Sequence, residues 1–190
     1  MEYVFTPYAR QIEPWAWWDG AFTDEQLDWM QARAKDSSAP AKVGGGIVDD
    51  SIRRSELSWI PCNDETEWVF KKLSHVASSL NVSHFGFNLT GLGEALQLTT
   101  YNEGNRGMYG WHQDFNGEVS RKLSIVVQLS HPSDYEGGNL EIMGGNSADT
   151  IPKKRGYIAV FPAWALHQVT PVTKGNRQSL VAWVSGEPFK

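Results

Sequence analysis

The sequence predicts one mainly-β domain fronted by helices, with short strands closing into a sandwich or barrel. Three observations carry this. From about residue 94, strand-like runs alternate with Gly, Asn, Asp and Pro turn signals at the spacing of an all-β domain. Before that point lie two helical patterns with start signals. A chain of 190 residues that is 41% hydrophobic holds one sizeable core but would be stretched by two. The expected organisation is a single domain over residues 1–190, with helical support in about 1–93 and the β core in about 94–185.

The first helix is expected over 24–35. Thr23-Asp24-Glu25-Gln26 fits a capping box, with Thr23 as N-cap and Gln26 at the third helical position, and Leu27, Met30 and Ala34 follow at helical steps. A second start is read at Asp64, with Glu67 three residues on and an apolar stripe of Trp68, Leu73, Val76, Ala77 and Leu80. Between them, Gly44-Gly45-Gly46 is followed by no Lys-Ser/Thr, so a mobile loop or lid is favoured over a phosphate cradle. The expected strands are 95–102, 108–114, 121–130, 138–143, 156–161, 164–170 and 177–184. Asn105-Arg106-Gly107, Asp134 to Gly138, Gly144-Gly145-Asn146 and Lys174-Gly175-Asn176 supply turns.

A net charge of −5 argues against binding nucleic acid through phosphate neutralisation. The single cysteine, Cys62, excludes an internal disulfide and a cysteine-cluster metal site. No run approaches the ~20 apolar residues of a membrane helix. The first residues carry neither a basic leader nor an apolar signal core, so the expected location is cytoplasmic. Nine Trp are many for this length and suit either a broad core or a pocket lining.

Chemistry is concentrated in three places. His112-Gln113-Asp114 lies in an expected strand, where alternation sends an imidazole and a carboxylate to one face. His167 lies in another strand of the same sandwich. Two His and one carboxylate match the facial triad of non-haem Fe(II) oxygenases. Arg177 follows ten residues after His167, with Thr170–Asn176 read as the turn, and opens an apolar strand in which Arg177, Ser179, Val181 and Trp183 share a face. Its planar fork suits a carboxylate.

These residues resemble the 2-oxoglutarate- and Fe(II)-dependent dioxygenases of the prolyl 4-hydroxylase type, including bacterial and phage members. The resemblance spans about residues 95–185. It rests on Tyr101-Asn102-Glu103-Gly104, Tyr109 to Asp114, Arg121-Lys122-Leu123-Ser124, Glu136 to Ile142, and His167 through Trp183. It implies a double-stranded β-helix (a cupin-like jelly roll) with His112, Asp114 and His167 binding Fe(II) and Arg177 pairing the distal carboxylate of 2-oxoglutarate. It also implies a co-substrate contact from Tyr101, with Tyr109 as the alternative. Gln128 and Leu140 have the parity to line the same pocket, and Trp183 would floor it. O2 is the second co-substrate, and ascorbate is a candidate reductant.

The implied activity couples decarboxylation of 2-oxoglutarate, releasing succinate and CO2, to hydroxylation of a C–H bond. The carboxylate ligand Asp114 favours this over halogenation, since related halogenases lack it. Nucleic-acid demethylases of the superfamily commonly carry a second Arg six residues after the first, where this chain has Trp183. A non-catalytic metal-binding jelly roll would not explain Arg177. The expected substrate is proline in a peptide or protein. Tyr109, Trp111, Trp164 and Trp183 are expected near the mouth or floor, with Arg53 and Arg54 beside a closing glycine loop. A free amino acid would present two charges to an apolar wall.

Overall fold

The computed structural model describes residues 13–34, 38–43, 46–115 and 119–188. The chain first runs β1 (Ala16–Trp18), α1 (Asp24–Arg33), β2 (Ala39–Pro40), β3 (Arg53–Arg54), β4 (Glu56–Ile60), α2 (Glu67–Leu80) and β5 (Leu89–Gly91). It continues with β6 (Leu96–Asn102), β7 (Met108–His112), β8 (Arg121–Gln128), β9 (Tyr135–Gly137) and β10 (Leu140–Met143). The last strands are β11 (Ala148–Thr150), β12 (Ile158–Pro162), β13 (His167–Val169) and β14 (Val172–Gly186).

Two antiparallel sheets face one another as a jelly roll. The larger has the order β1-β12-β8-β14-β6-β4-β2, with β5 and β9 also paired to β14; the smaller is β11-β10-β13-β7-β3. Both faces of the larger sheet are covered, and residue parity divides the work. Leu98, Val127, Ile158 and Leu180 lie side by side across four strands, as do Ile125, Val160 and Ala182. They join Leu27 and Met30 of α1 and Val69, Leu73 and Val76 of α2 in one core. The alternate residues turn to the second sheet, where Tyr101, Val126, Ala159 and Phe161 meet Leu140, Ile142 and Val169.

Helix α1 starts as its sequence requires: Thr23 Oγ1 accepts from Gln26 N, and the Gln26 side chain accepts from Thr23 N. Helix α2 begins later than Asp64. The Asn63 side chain accepts from the N–H groups of Glu65 and Thr66, forming a turn that consumes the residues read as the first helical turn. Five strands before residue 93 were not expected, because none exceeds five residues and each is defined by pairing to distant partners. The last strand also starts earlier than expected. Val172 to Gly175 pair with β9, so Arg177 sits inside β14 rather than at its start.

Candidate metal and co-substrate site

Between the sheets lies a cavity of ≈ 390 Å³ whose wall includes His112, Asp114, His167, Arg177, Tyr101, Leu140 and Trp183. His112 and His167 are paired neighbours on β7 and β13. Asp114 does not share a strand face with His112 by alternation as expected. Strand β7 ends at His112, and Asp114 sits in a following bend that its own N–H fixes by donating to Ala163 O at 2.9 Å. The register between β13 and β7 shifts so that His167 opposes His112 but Val169 opposes Tyr109. One extra residue on β7 forms a bulge that turns both Tyr109 and His112 into the cavity. Their rings stack at 3.4 Å between centroids.

The donor atoms of His112, Asp114 and His167 all lie within 4.8 Å of one another. Nδ1 of His112 lies 2.7 Å from Gly110 O, and Nδ1 of His167 lies 2.9 Å from Ala165 O. A carbonyl can only accept, so both Nδ1 atoms carry a proton and each ring presents Nε2 to the carboxylate. The Nε2 atoms stand 3.8 and 3.6 Å from the two Asp114 oxygens. Ser124 donates its hydroxyl to Asp114 Oδ2 at 2.6 Å. Burial pushes Asp114 up, but His167, His112, Ser124 and the nearby Trp183 indole together hold it below its ordinary value. Burial, reinforced by His167, lowers His112 to about 3, so it is neutral near pH 7. Two imidazoles held through Nδ1–H and one ionised carboxylate fit a divalent metal, each ligand oriented by a neighbour.

The deep end of the cavity is built around Arg177, which is 1% exposed. Its Nη2 donates to Gln128 Oε1 at 3.0 Å and its Nη1 to Ser179 Oγ at 3.3 Å, while Tyr101 faces it with its ring centroid 5.4 Å away. No carboxylate pairs with it among the described residues. Glycine makes this packing possible: at Gly138 (φ +57) a Cβ would meet Arg177 Cδ at 3.0 Å and Val172 Cγ2 at 2.9 Å.

Several placements differ from the sequence reading. Gln128 stands behind Arg177 and orients it rather than lining the cavity. Trp183 is a wall at the metal end, near the half-exposed Trp59 and under the Arg121 guanidinium, and not a floor. Trp111 and Trp164 are exposed and outside the cavity wall. Tyr101 and Tyr109 divide the cavity between them, Tyr101 beside Arg177 and Tyr109 against His112. Arg53 lines the cavity from β3, whereas Arg54 points away and donates to the carbonyls of Asp50 and Arg106. Gly44 and Gly45 lie outside the described residues. Arg53, expected beside a closing loop, is instead part of the wall, and the sequence reading missed Leu57, Trp59, Gln97 and Thr99 there. The alternation of Gln97 and Thr99 with Leu96 and Leu98 was the available signal for two of these.

Two imidazole nitrogens and one carboxylate around an open position are the donor set of non-haem Fe(II) oxygenases. The sequence pattern of the 2OG-Fe(II) oxygenase superfamily matches residues 96–185. A PKHD-type hydroxylase of Klebsiella pneumoniae is 30% identical over 170 residues, covering 85% of this chain and 74% of that one. Alignments with some other PKHD-type hydroxylases cover only 36–42% of those chains. Among solved structures, a Pseudomonas putida prolyl-4-hydroxylase superposes with a TM-score of 0.73 at 19% identity, covering 93% of this chain and 94% of that one. A Trichoplax adhaerens prolyl hydroxylase, in complex with a hypoxia inducible factor peptide fragment, superposes with a TM-score of 0.77 at 14% identity, covering 92% and 84%. At these identities the superpositions establish the fold. The chain belongs to the 2OG-Fe(II) oxygenase superfamily, a class of dioxygenase that implies Fe(II), 2-oxoglutarate and O2. No helix among the described residues is long and apolar enough to cross a membrane.

Proposed function

We propose that the protein hydroxylates a prolyl residue within a peptide, consuming 2-oxoglutarate and O2 and releasing succinate and CO2. The observation that carries the co-substrate assignment is Arg177: a buried guanidinium held only by neutral partners calls for an anion. In this reading His112 and His167 hold the metal through Nε2, and Asp114 holds it through its carboxylate. Bound there, Fe(II) would supply oxygen activation coupled to decarboxylation of the keto acid. Ser124 keeps Asp114 oriented, while Gln128 and Ser179 hold the Arg177 fork toward the distal carboxylate. Tyr101 is placed to hydrogen-bond that carboxylate, and Leu140 and Val126 exclude water from its methylene chain. The K. pneumoniae hydroxylase supports the hydroxylation, and the peptide fragment bound by the T. adhaerens prolyl hydroxylase supports a peptide substrate.

The test has two stages. Anaerobic addition of Fe(II) and 2-oxoglutarate should produce a weak visible charge-transfer band, and its absence would remove the oxygenase reading. Proline-containing peptides and free proline are then incubated with Fe(II), ascorbate, 2-oxoglutarate and air. A gain of one oxygen that fragmentation places on peptidyl proline is the expected result. Oxidation confined to free proline, a nucleobase or a small metabolite would overturn the peptide assignment alone.

A further inference from the structure

Arg53 is a second buried guanidinium in the same cavity, 8% exposed and with no role in holding the co-substrate. Its Nε donates to Ser55 Oγ at 2.8 Å and its Nη2 to Gln97 Oε1 at 2.9 Å, and its guanidinium lies 4.4 Å from the Tyr109 ring centroid. All three partners are neutral, and no ion pair involves Arg53 among the described residues. A guanidinium removed from water without a counter-charge is unfavourable unless something supplies one.

Its position says what that something is. Gln97 and Tyr101 both face the cavity from β6, and they mark the Arg53 and Arg177 ends respectively. They stand four positions apart on the strand, a span of roughly 13 Å. The Arg53 end is the open one. The exposed Lys42 and half-exposed Trp59 line it, and Tyr109 joins Arg53 to the His112 ring. The keto acid of the proposed reaction would occupy the stretch from Arg177 to the triad, which leaves the Arg53 side for the molecule being hydroxylated.

Charge points the same way. Among the described residues Asp114 is the one carboxylate in the cavity wall, against Arg53, Arg177, Lys42 and an Arg121 already paired to Glu94. A divalent ion and a dianionic keto acid cancel each other, and Asp114 offsets one guanidinium. Positive charge therefore remains at the mouth of a protein whose net charge is −5. A neutral peptide would leave it unmatched.

We infer that Arg53 pairs with a carboxylate of the substrate, so that the preferred peptide carries an acidic group close to the hydroxylated residue. The inference deepens the proposed peptide hydroxylation and rests on it. The carboxylate has two sources, an Asp or Glu side chain beside the target or the free C-terminus of a peptide ending there. The half-exposed Trp59 and the wall residue Leu57 pack the apolar part of the same ligand.

The test measures binding and turnover separately. Proline peptides blocked at both ends carry Asp, Glu, Asn or Gln on either side of proline, and a second set ends at or one residue after proline as free acid or amide. Binding to the Mn(II)- and 2-oxoglutarate-loaded protein is read anaerobically by tryptophan fluorescence. Acid forms should bind at least tenfold more tightly than their amide isosteres, and the set showing the preference identifies the source. In Arg53→Met the preference should vanish while 2-oxoglutarate affinity is unchanged, and Arg53→Lys should restore part of it. Equal binding of acid and amide by the parent protein overturns the inference without any variant. A preference that survives in Arg53→Met, with near-ultraviolet circular dichroism showing an intact fold, overturns the assignment to Arg53. Succinate formation is followed in parallel. Its complete absence with every peptide would sink the peptide-hydroxylation reading, while the binding preference would still decide the role of Arg53.

Discussion

On β8, Leu123, Ile125 and Val127 turn toward the helices, while Ser124, Val126 and Gln128 turn toward the second sheet. Strand β14 repeats the division, with Leu180, Ala182 and Val184 on one side and Arg177, Ser179, Val181 and Trp183 on the other. The helix-facing side is apolar and closed. The inner side holds buried Gln97, Thr99, Ser124, Gln128 and Arg177, groups that a core selected for stability alone would exclude. Stability and chemistry thus sit on opposite faces of the same strands, one residue apart. Substitutions at adjacent positions should therefore fail in different ways, and that difference can be measured.

The largest effect is expected on the inner side. His112→Ala, Asp114→Ala and His167→Ala should each reduce turnover to background and sharply weaken Fe(II) binding, with the fold retained, because each removes one of three ligands and none belongs to the helix-side core. Metal titration and circular dichroism read the two properties separately. Cooperative unfolding of any of these variants at ambient temperature would break the division.

The opposite face should give the converse. Leu180→Ala leaves a cavity among Leu98, Val127 and the helices and should lower unfolding free energy by about 2–5 kcal/mol in urea titrations. Metal binding by the folded fraction should be unchanged. Arg177→Ala tests the boundary case, a buried residue whose value lies in binding. It should weaken 2-oxoglutarate binding by about 2–5 kcal/mol while leaving metal affinity nearly intact. Arg177→Lys should recover only part of the loss. Unchanged 2-oxoglutarate affinity in Arg177→Ala would move the carboxylate anchor elsewhere.

The smallest effect concerns pH. His112 is held at about 3 in the fold and returns to 6.5 when unfolded, so below pH 6.5 the unfolded chain takes up a proton that the fold refuses. Stability from this group is complete above pH 6.5 and is lost as pH falls toward 3. Asp114, also depressed, adds to the loss below 3.8. Between pH 6.5 and 5 the metal-free protein should lose about 2 kcal/mol through His112. His112→Gln should lack this component, and equal acid sensitivity in both proteins would assign it to other groups.

Much of this was legible in the residues. The capping box of α1, the two histidines and Arg177 could be read from short-range spacing and place in a strand, whereas Asp114 joins them from a bend after β7 and not by strand alternation. The bulge in β7 was not legible, and it is why Tyr109 joins His112 in the cavity despite an odd separation. The residues alone also could not choose which tryptophans face the site: Trp59 does, while Trp111 and Trp164 do not.

By itself, then, the sequence determined a helix-fronted jelly roll, a two-histidine, one-carboxylate donor set and an arginine on the same inner face. Only the tertiary structure decided that Gln128 orients Arg177 and that Arg53 stands at the mouth rather than on a closing loop. The reason is physical. Strand β3 has two residues and no period of its own, and its direction is set by pairing with β7 more than fifty residues away.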